Sequence, residues 1–179
     1  MLYRDPGPRV VVMGVAGSGK TTVGRALAAR LDLPYADADA FHPATNVAKM
    51  RAGRPLDDQD RSPWLRAVAT WLSGHPDGGV VSCSALRHDY RQLLRDSAPN
   101  AVFLHLAGDA AVVTARVAAR SDHFMPASLV GSQLELLEPL RADETGLVAD
   151  LTRPVDELVD EFTHRFGTPA VAAISGGTR

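Results

Sequence analysis

Residues 9–31 read RVVVMGVAGSGKTTVGRALAARL, and this stretch decides the fold. Its opening run, residues 9–14 (RVVVMG), has the β-branched pattern of a strand buried on both faces. From residue 21 to 31 the apolar positions recur at helical spacing. Between strand and helix, residues 14–21 spell GVAGSGKT, the pattern G-x-x-x-x-G-K-S/T in the setting it requires. Each residue type has a physical reason. Gly14, Gly17 and Gly19 allow backbone conformations in which the N–H groups along Val15, Ala16 and Ser18 turn inward on an anion. The following helix directs its positive end, through Thr22, at the same point. Lys20 is expected to reach the outer phosphates, and the Thr21 hydroxyl to ligate Mg²⁺. The stretch predicts a nucleoside-triphosphate site.

Strands alternate with helices through the rest of the chain. Short strands are expected at 34–37, 79–83, 101–106 and 147–151, and helices at 86–96, 110–119, 127–138 and 155–166. Residues 41–66 mix both signs of charge with proline and glycine, and read as a short helix, a loop and the start of a helix running through Trp71. The alternation predicts an α/β fold: a five-stranded parallel sheet between two helical layers. The whole chain, 1–179, reads as one domain with its core at 9–166 and a flexible Gly-rich tail at 167–179.

The 179 residues carry 19 Lys plus Arg against 21 Asp plus Glu, and 45% apolar side chains, enough for a real core. This near-neutral balance speaks against a nucleic-acid binder. No apolar run reaches the roughly 18 residues of a membrane span, and the N-terminus lacks a secretory pattern, so a cytoplasmic location is expected. The single cysteine, Cys83, cannot form an internal disulfide and is expected to pack beneath the site. Only two of the 19 basic residues are lysines, Lys20 and Lys49; elsewhere arginine serves. A retained lysine therefore suggests a place that needs a compact ammonium.

Asp37 and Asp39 fall at the end of the second predicted strand, where the C-terminal edge of a parallel sheet faces its ligand. Alternation would put both carboxylates on one side, one deprotonating an acceptor hydroxyl and the other holding Mg²⁺ through water. Phosphoryl transfer asks the protein mainly for alignment and charge neutralisation, which such a pair suits. Arg116 and Arg120, four apart on one helix face, lead into Ser121, Asp122 and His123; a basic lid closing over the triphosphate is expected there. The segment with Lys49, Arg51, Arg54 and Arg61 has two readings, a surface run of paired charges or a set of contacts to an anionic, hydroxyl-rich acceptor. His42 and Asn46 could bind hydroxyls, and Ser84, Arg87 and His88 also fall at the crevice. Trp64 and Trp71, seven apart, read as core anchors, while His75, His105 and His164 have no evident role.

Four stretches together resemble the gluconokinase family of the small phosphate-loop type. They are GVAGSGKTTVGRALA at 14–28, DADAFHPATNVAKMRAGRPLDDQDRSPWL at 37–65, VVSCSALRHDYRQLLR at 80–95 and HFMPASLVGSQLELLE at 123–138. The resemblance implies a nucleoside-monophosphate-kinase-like fold with a lid around 116–138. It also implies transfer of the γ-phosphate of ATP, with Mg²⁺, to the 6-hydroxyl of D-gluconate, and a homodimer. By position it implies Asp39 beside the acceptor hydroxyl; Lys49, Arg61 and Arg87 on the acceptor, with His42, Arg54, Ser84 and His123 around it; Arg116 against adenine; and Arg120 on the phosphates. Alanine stands at Ala16 where serine is frequent, and Thr21 replaces serine at the Mg²⁺ position. The alternatives are a related hydroxy-acid kinase of the shikimate type and a nucleotide-binding regulatory protein without turnover. Retention of both Lys20 and Asp39 speaks against the last.

Overall fold

The computed structural model describes residues 6–120, 126 and 128–167. His123, residues 121–125 of the expected lid and the tail at 168–179 lie outside the described residues. Five strands form one parallel sheet: β1 (Arg9–Met13), β2 (Tyr35–Asp37), β3 (Gly79–Ser82), β4 (Ala101–Ala107) and β5 (Gly146–Asp150), in the order β2-β3-β1-β4-β5. Among the described residues seven α-helices connect or flank them: α1 (Lys20–Leu31), α2 (Ala44–Arg51), α3 (Asp58–Ser73), α4 (His88–Ser97), α5 (Ala110–Ala118), α6 (Ser128–Leu136) and α7 (Val155–Phe166). A 3-10 turn at Ala38–Phe41 follows β2.

The β-branched run of β1 explains the layering. Val10 and Val12 enter one apolar core with α1, α5 and α7, while Val11 and Met13 enter a second with α3 and α4. All four are fully buried, as a central parallel strand covered on both faces must be. The parallel register pairs Met13 with His105, Val12 and Asp37 with Ser82, and Ala107 with Asp150, so the C-terminal strand ends share one edge. From β1 the chain goes first to β2 and β3 on one side and then to β4 and β5 on the other. The reversal opens a crevice at that edge.

The segment that mixed its charges begins α3 with a reciprocal cap. The Asp57 carboxylate accepts from the Asp60 N–H and the Asp60 carboxylate from the Asp57 N–H, each at 2.9 Å. No helix among the described residues is long and apolar enough to cross a membrane.

One buried ion pair holds the crevice from behind. The fully buried Arg91 guanidinium donates to both Glu144 carboxylate oxygens, at 2.6 and 3.0 Å, and to the carbonyls of Ala85, Leu86, Glu138 and Pro139. Burial alone would raise the Glu144 carboxyl, but its bonds from Arg91 and the Arg141 N–H outweigh this and hold it below the usual range. Ala85 sits at φ +42°, a left-handed conformation that costs a non-glycine residue energy and that the Arg91 bond to its carbonyl sustains. Arg91→Ala would leave the Glu144 charge uncompensated. We expect a loss of about 3–5 kcal/mol in urea unfolding at neutral pH. Because the Glu144 pKa is depressed, that cost should shrink as pH falls through the carboxylate range, where the charge disappears in both states.

Candidate active site

The loop between β1 and α1 has its conformation set by close approaches. Gly14 and Gly17 adopt φ of +146° and +81°. A Cβ on Gly14 would meet Ser18 Oγ at 2.7 Å and the Leu106 carbonyl at 2.8 Å; one on Gly17 would meet the Val113 carbonyl at 2.7 Å. Helix α1 starts at Gly19 with no side-chain cap, so its first N–H groups are not taken up by a capping side chain. Lys20 Nζ donates to the Val15 carbonyl at 2.9 Å. Burial draws this ammonium below its usual pKa, opposed by the nearby carboxylates of Asp39 and Asp37.

The Thr21 hydroxyl donates to Asp37 Oδ2 at 2.9 Å, while Asp37 Oδ1 accepts from the Asp39 N–H at 3.1 Å. The two acids share the crevice by a route other than strand alternation. β2 ends at Asp37, which caps the 3-10 turn, and the turn carries Asp39 into the same cleft. From β3, Ser82 Oγ donates to the Lys20 carbonyl at 2.8 Å and accepts from the Tyr35 hydroxyl at 2.9 Å, fastening the loop's exit to the sheet. Cys83 is buried, and burial pushes its thiol up to about 12, so it is protonated and packs beneath the site.

A cleft open at its mouth runs from this loop to the segment that follows β2. Ala16, Gly17, Gly19, Lys20, Thr21 and Thr22 form one wall, and Asp37, Asp39, His42, Arg61, Trp64 and Ser84 face them. His42 stacks on Trp64 with ring centroids 4.3 Å apart, and Trp64 Nε1 donates to the Ala38 carbonyl at 2.7 Å. Trp64 is thus a core anchor and also part of the cleft wall, the second role unread from spacing. Arg61 lies over the Tyr90 ring and donates to its hydroxyl at 3.4 Å; that hydroxyl in turn donates to Asp58 at 2.5 Å.

Other candidates fall outside the cleft wall. Lys49 pairs with Asp57 at 3.2 Å and with Asp60, tying the end of α2 to the cap of α3. Arg54 is exposed, and Arg87 stacks over Tyr90 while pairing with Asp58 and Asp89. Asn46 is buried behind His42, and His88 faces Asp143 at 3.4 Å.

Arg120 lines the cleft and a second cavity beyond the loop, which Gly17, Ser18, Gly19, Thr22 and Arg116 also line. Arg116 donates to the Leu151 carbonyl at 3.3 Å, and Leu151, Arg153 and Val155 complete that cavity from the connection between β5 and α7. Sequence reading missed these residues, which lack a motif of their own. It also missed the hold of α6 on the loop: Gln133 Oε1 accepts from the Ala16 N–H at 2.7 Å. On the same helix Leu129 packs with Met50 and Leu56, which follow the 3-10 turn, so α6 bridges both halves of the cleft. Gln133→Ala should speed hydrogen exchange of the Ala16 amide by about tenfold, the worth of one hydrogen bond, as read by NMR. An unchanged rate would place the loop's order elsewhere.

A family model described as shikimate kinase matches residues 16–165. The gluconokinase of Gluconobacter oxydans is 41% identical over 88% of this chain and 90% of its own. Among solved structures, a sugar kinase from Janibacter sp. HTCC2649 is 47% identical, with a TM-score of 0.84 over 89% of this chain and 94% of that one. A gluconokinase from Sinorhizobium meliloti is 44% identical, with a TM-score of 0.79 over 89% of this chain and 90% of that one. With likeness of this extent along nearly its whole length, the chain belongs to the gluconokinase family.

Proposed function

We propose that the protein transfers the γ-phosphate of ATP to the 6-hydroxyl of D-gluconate, giving 6-phosphogluconate and ADP. The observation that carries this reading is a single cleft in which a phosphate loop faces Asp39, His42 and Arg61. The loop N–H groups and Lys20 bind and orient the triphosphate, with Arg120 neutralising charge from the lid side. Arg116, against the second cavity, packs on the base. Asp39 accepts the proton of the attacking hydroxyl as the new O–Pγ bond forms and the bond from Pγ to the ADP oxygen breaks. Arg61 holds the anionic acceptor, and α6 closes the cleft against water.

The Thr21 hydroxyl and Asp37 carboxylate, 2.9 Å apart, are hard oxygen donors of the kind that holds Mg²⁺ when phosphates and water complete its shell. Bound there, Mg²⁺ would neutralise the phosphate oxygens. No group of three or more His, Cys, Asp or Glu is gathered for a metal among the described residues, so substrate oxygens and water must supply most of that shell. From the sequence we also read the protein as cytoplasmic, and from the family resemblance as a homodimer.

The match to the shikimate kinase family model supports a second reading, a cyclic hydroxy-acid acceptor. ADP release with ATP and Mg²⁺ across gluconate, shikimate, glucose and nucleoside monophosphates separates the two. Turnover with gluconate alone is expected; turnover with shikimate instead would overturn the proposal. Asp39→Asn should keep ATP binding while lowering turnover by about 10²–10⁴-fold, the usual worth of a general base. Unchanged turnover would remove Asp39 from the chemistry. Arg61→Ala should raise the gluconate KM while leaving the ATP KM nearly constant, and equal KM values for gluconate would make Arg61 structural.

A further inference from the structure

Asn46 is buried on α2, and its Nδ2 lies 2.8 Å from the Asp60 carbonyl and 3.3 Å from His42 Nδ1. A backbone carbonyl only accepts, so the group facing it must be the amide NH₂ and not the amide oxygen. One N–H goes to Asp60, which leaves the other for His42 Nδ1. That nitrogen must then offer a lone pair, and the imidazole proton sits on Nε2. The ring is held flat on Trp64, 12° from parallel, so it cannot turn Nδ1 away from Asn46 without breaking the stack.

We propose that Asn46 is a positioning residue that locks His42 as the neutral Nε2–H tautomer, and that His42 reads one hydroxyl of a polyhydroxy acceptor by donating to its oxygen. The surroundings agree with the assignment. Burial and the Arg61 guanidinium push His42 down to about 4, so the ring carries no charge near neutrality. The groups around it are Arg61, Trp64 and the Asp60 carbonyl from α3, Asn46 from α2, and Asp39, which shares the cleft from the preceding turn. Asp39 can only accept, whereas Nε2 of this tautomer can only donate. A hydroxyl-bearing chain supplies both complements, and the pair would read two of its oxygens with opposite polarity. The proposal rests on the gluconate reading for its substrate, while the tautomer does not.

Two measurements separate these parts. The ¹⁵N-coupled imidazole spectrum of the substrate-free protein, assigned by loss of the signal in His42→Phe, should show Nε2 protonated and Nδ1 bare across neutral pH. A proton on Nδ1, or an imidazolium at pH about 6 where an ordinary histidine titrates, would overturn the lock whatever the acceptor is. His42→Phe keeps a ring to stack on Trp64 and removes the donor. It should raise the gluconate KM by about tenfold with the ATP KM unchanged. A gluconate KM equal to wild type would overturn the hydroxyl-reading role. Asn46→Asp exchanges the donor for a carboxylate that favours the imidazolium. It should make the gluconate KM depend on pH between about 5 and 8, where the wild type is flat. A flat profile in this variant would also overturn the lock, and should it not fold, the wild-type spectrum alone decides. If the wild type fails to turn over gluconate, the substrate reading falls and the spectrum still decides the lock.

Discussion

The close approach of backbone to backbone at the phosphate loop is the constraint on which the rest depends. Gly14 lies against Ser18 and the end of β4, Gly17 lies against α5, and the Gly14 N–H reaches the Ser84 carbonyl beyond β3 at 3.3 Å. Three separate elements therefore grip the loop, and any side chain at either glycine would displace one of them. The grip is possible only because the parallel register brings the ends of β1, β3 and β4 to one edge. Catalysis by alignment needs such a seat, since a loop free to shift would lose its N–H groups' common focus.

The wall opposite the loop is built differently. It has no glycine nest; it has a short turn and two helices locked together by side chains. Asp37 caps the turn, the Asp57–Asp60 box starts α3, and Lys49 fastens the end of α2 to that box. The Tyr90 ring carries the guanidinium groups of both Arg61 and Arg87, at 5.7 and 5.3 Å from its centroid. The loop wall is thus rigid by backbone geometry and the opposite wall by paired charges, while α6 touches both through Gln133 and Leu129.

Much of this was legible in the residues. The VVV run and the glycine spacing locate β1 and the loop because burial on both faces and positive φ leave direct compositional marks. Alternation of strand and helix yields the sheet for the same reason. The missed features depend on distance in sequence. Gln133 meets Ala16 across 117 positions, and the wall from Leu151 to Val155 faces the loop only after β5 has paired with β4. Residue type alone leaves Lys49 with two readings, a ligand contact or a paired charge, and in the structure its ammonium pairs with Asp57 and Asp60. Trp64 shows another limit, since a helix-face pattern identifies burial but not which buried ring borders a cleft.

The central claim is that the two walls face each other across one reacting hydroxyl. It is tested most directly by ³¹P NMR of the product made from ATP and D-gluconate. A phosphate ester coupled to the two protons of carbon 6 is the predicted result. An ester at any other carbon, or inorganic phosphate alone, would contradict it.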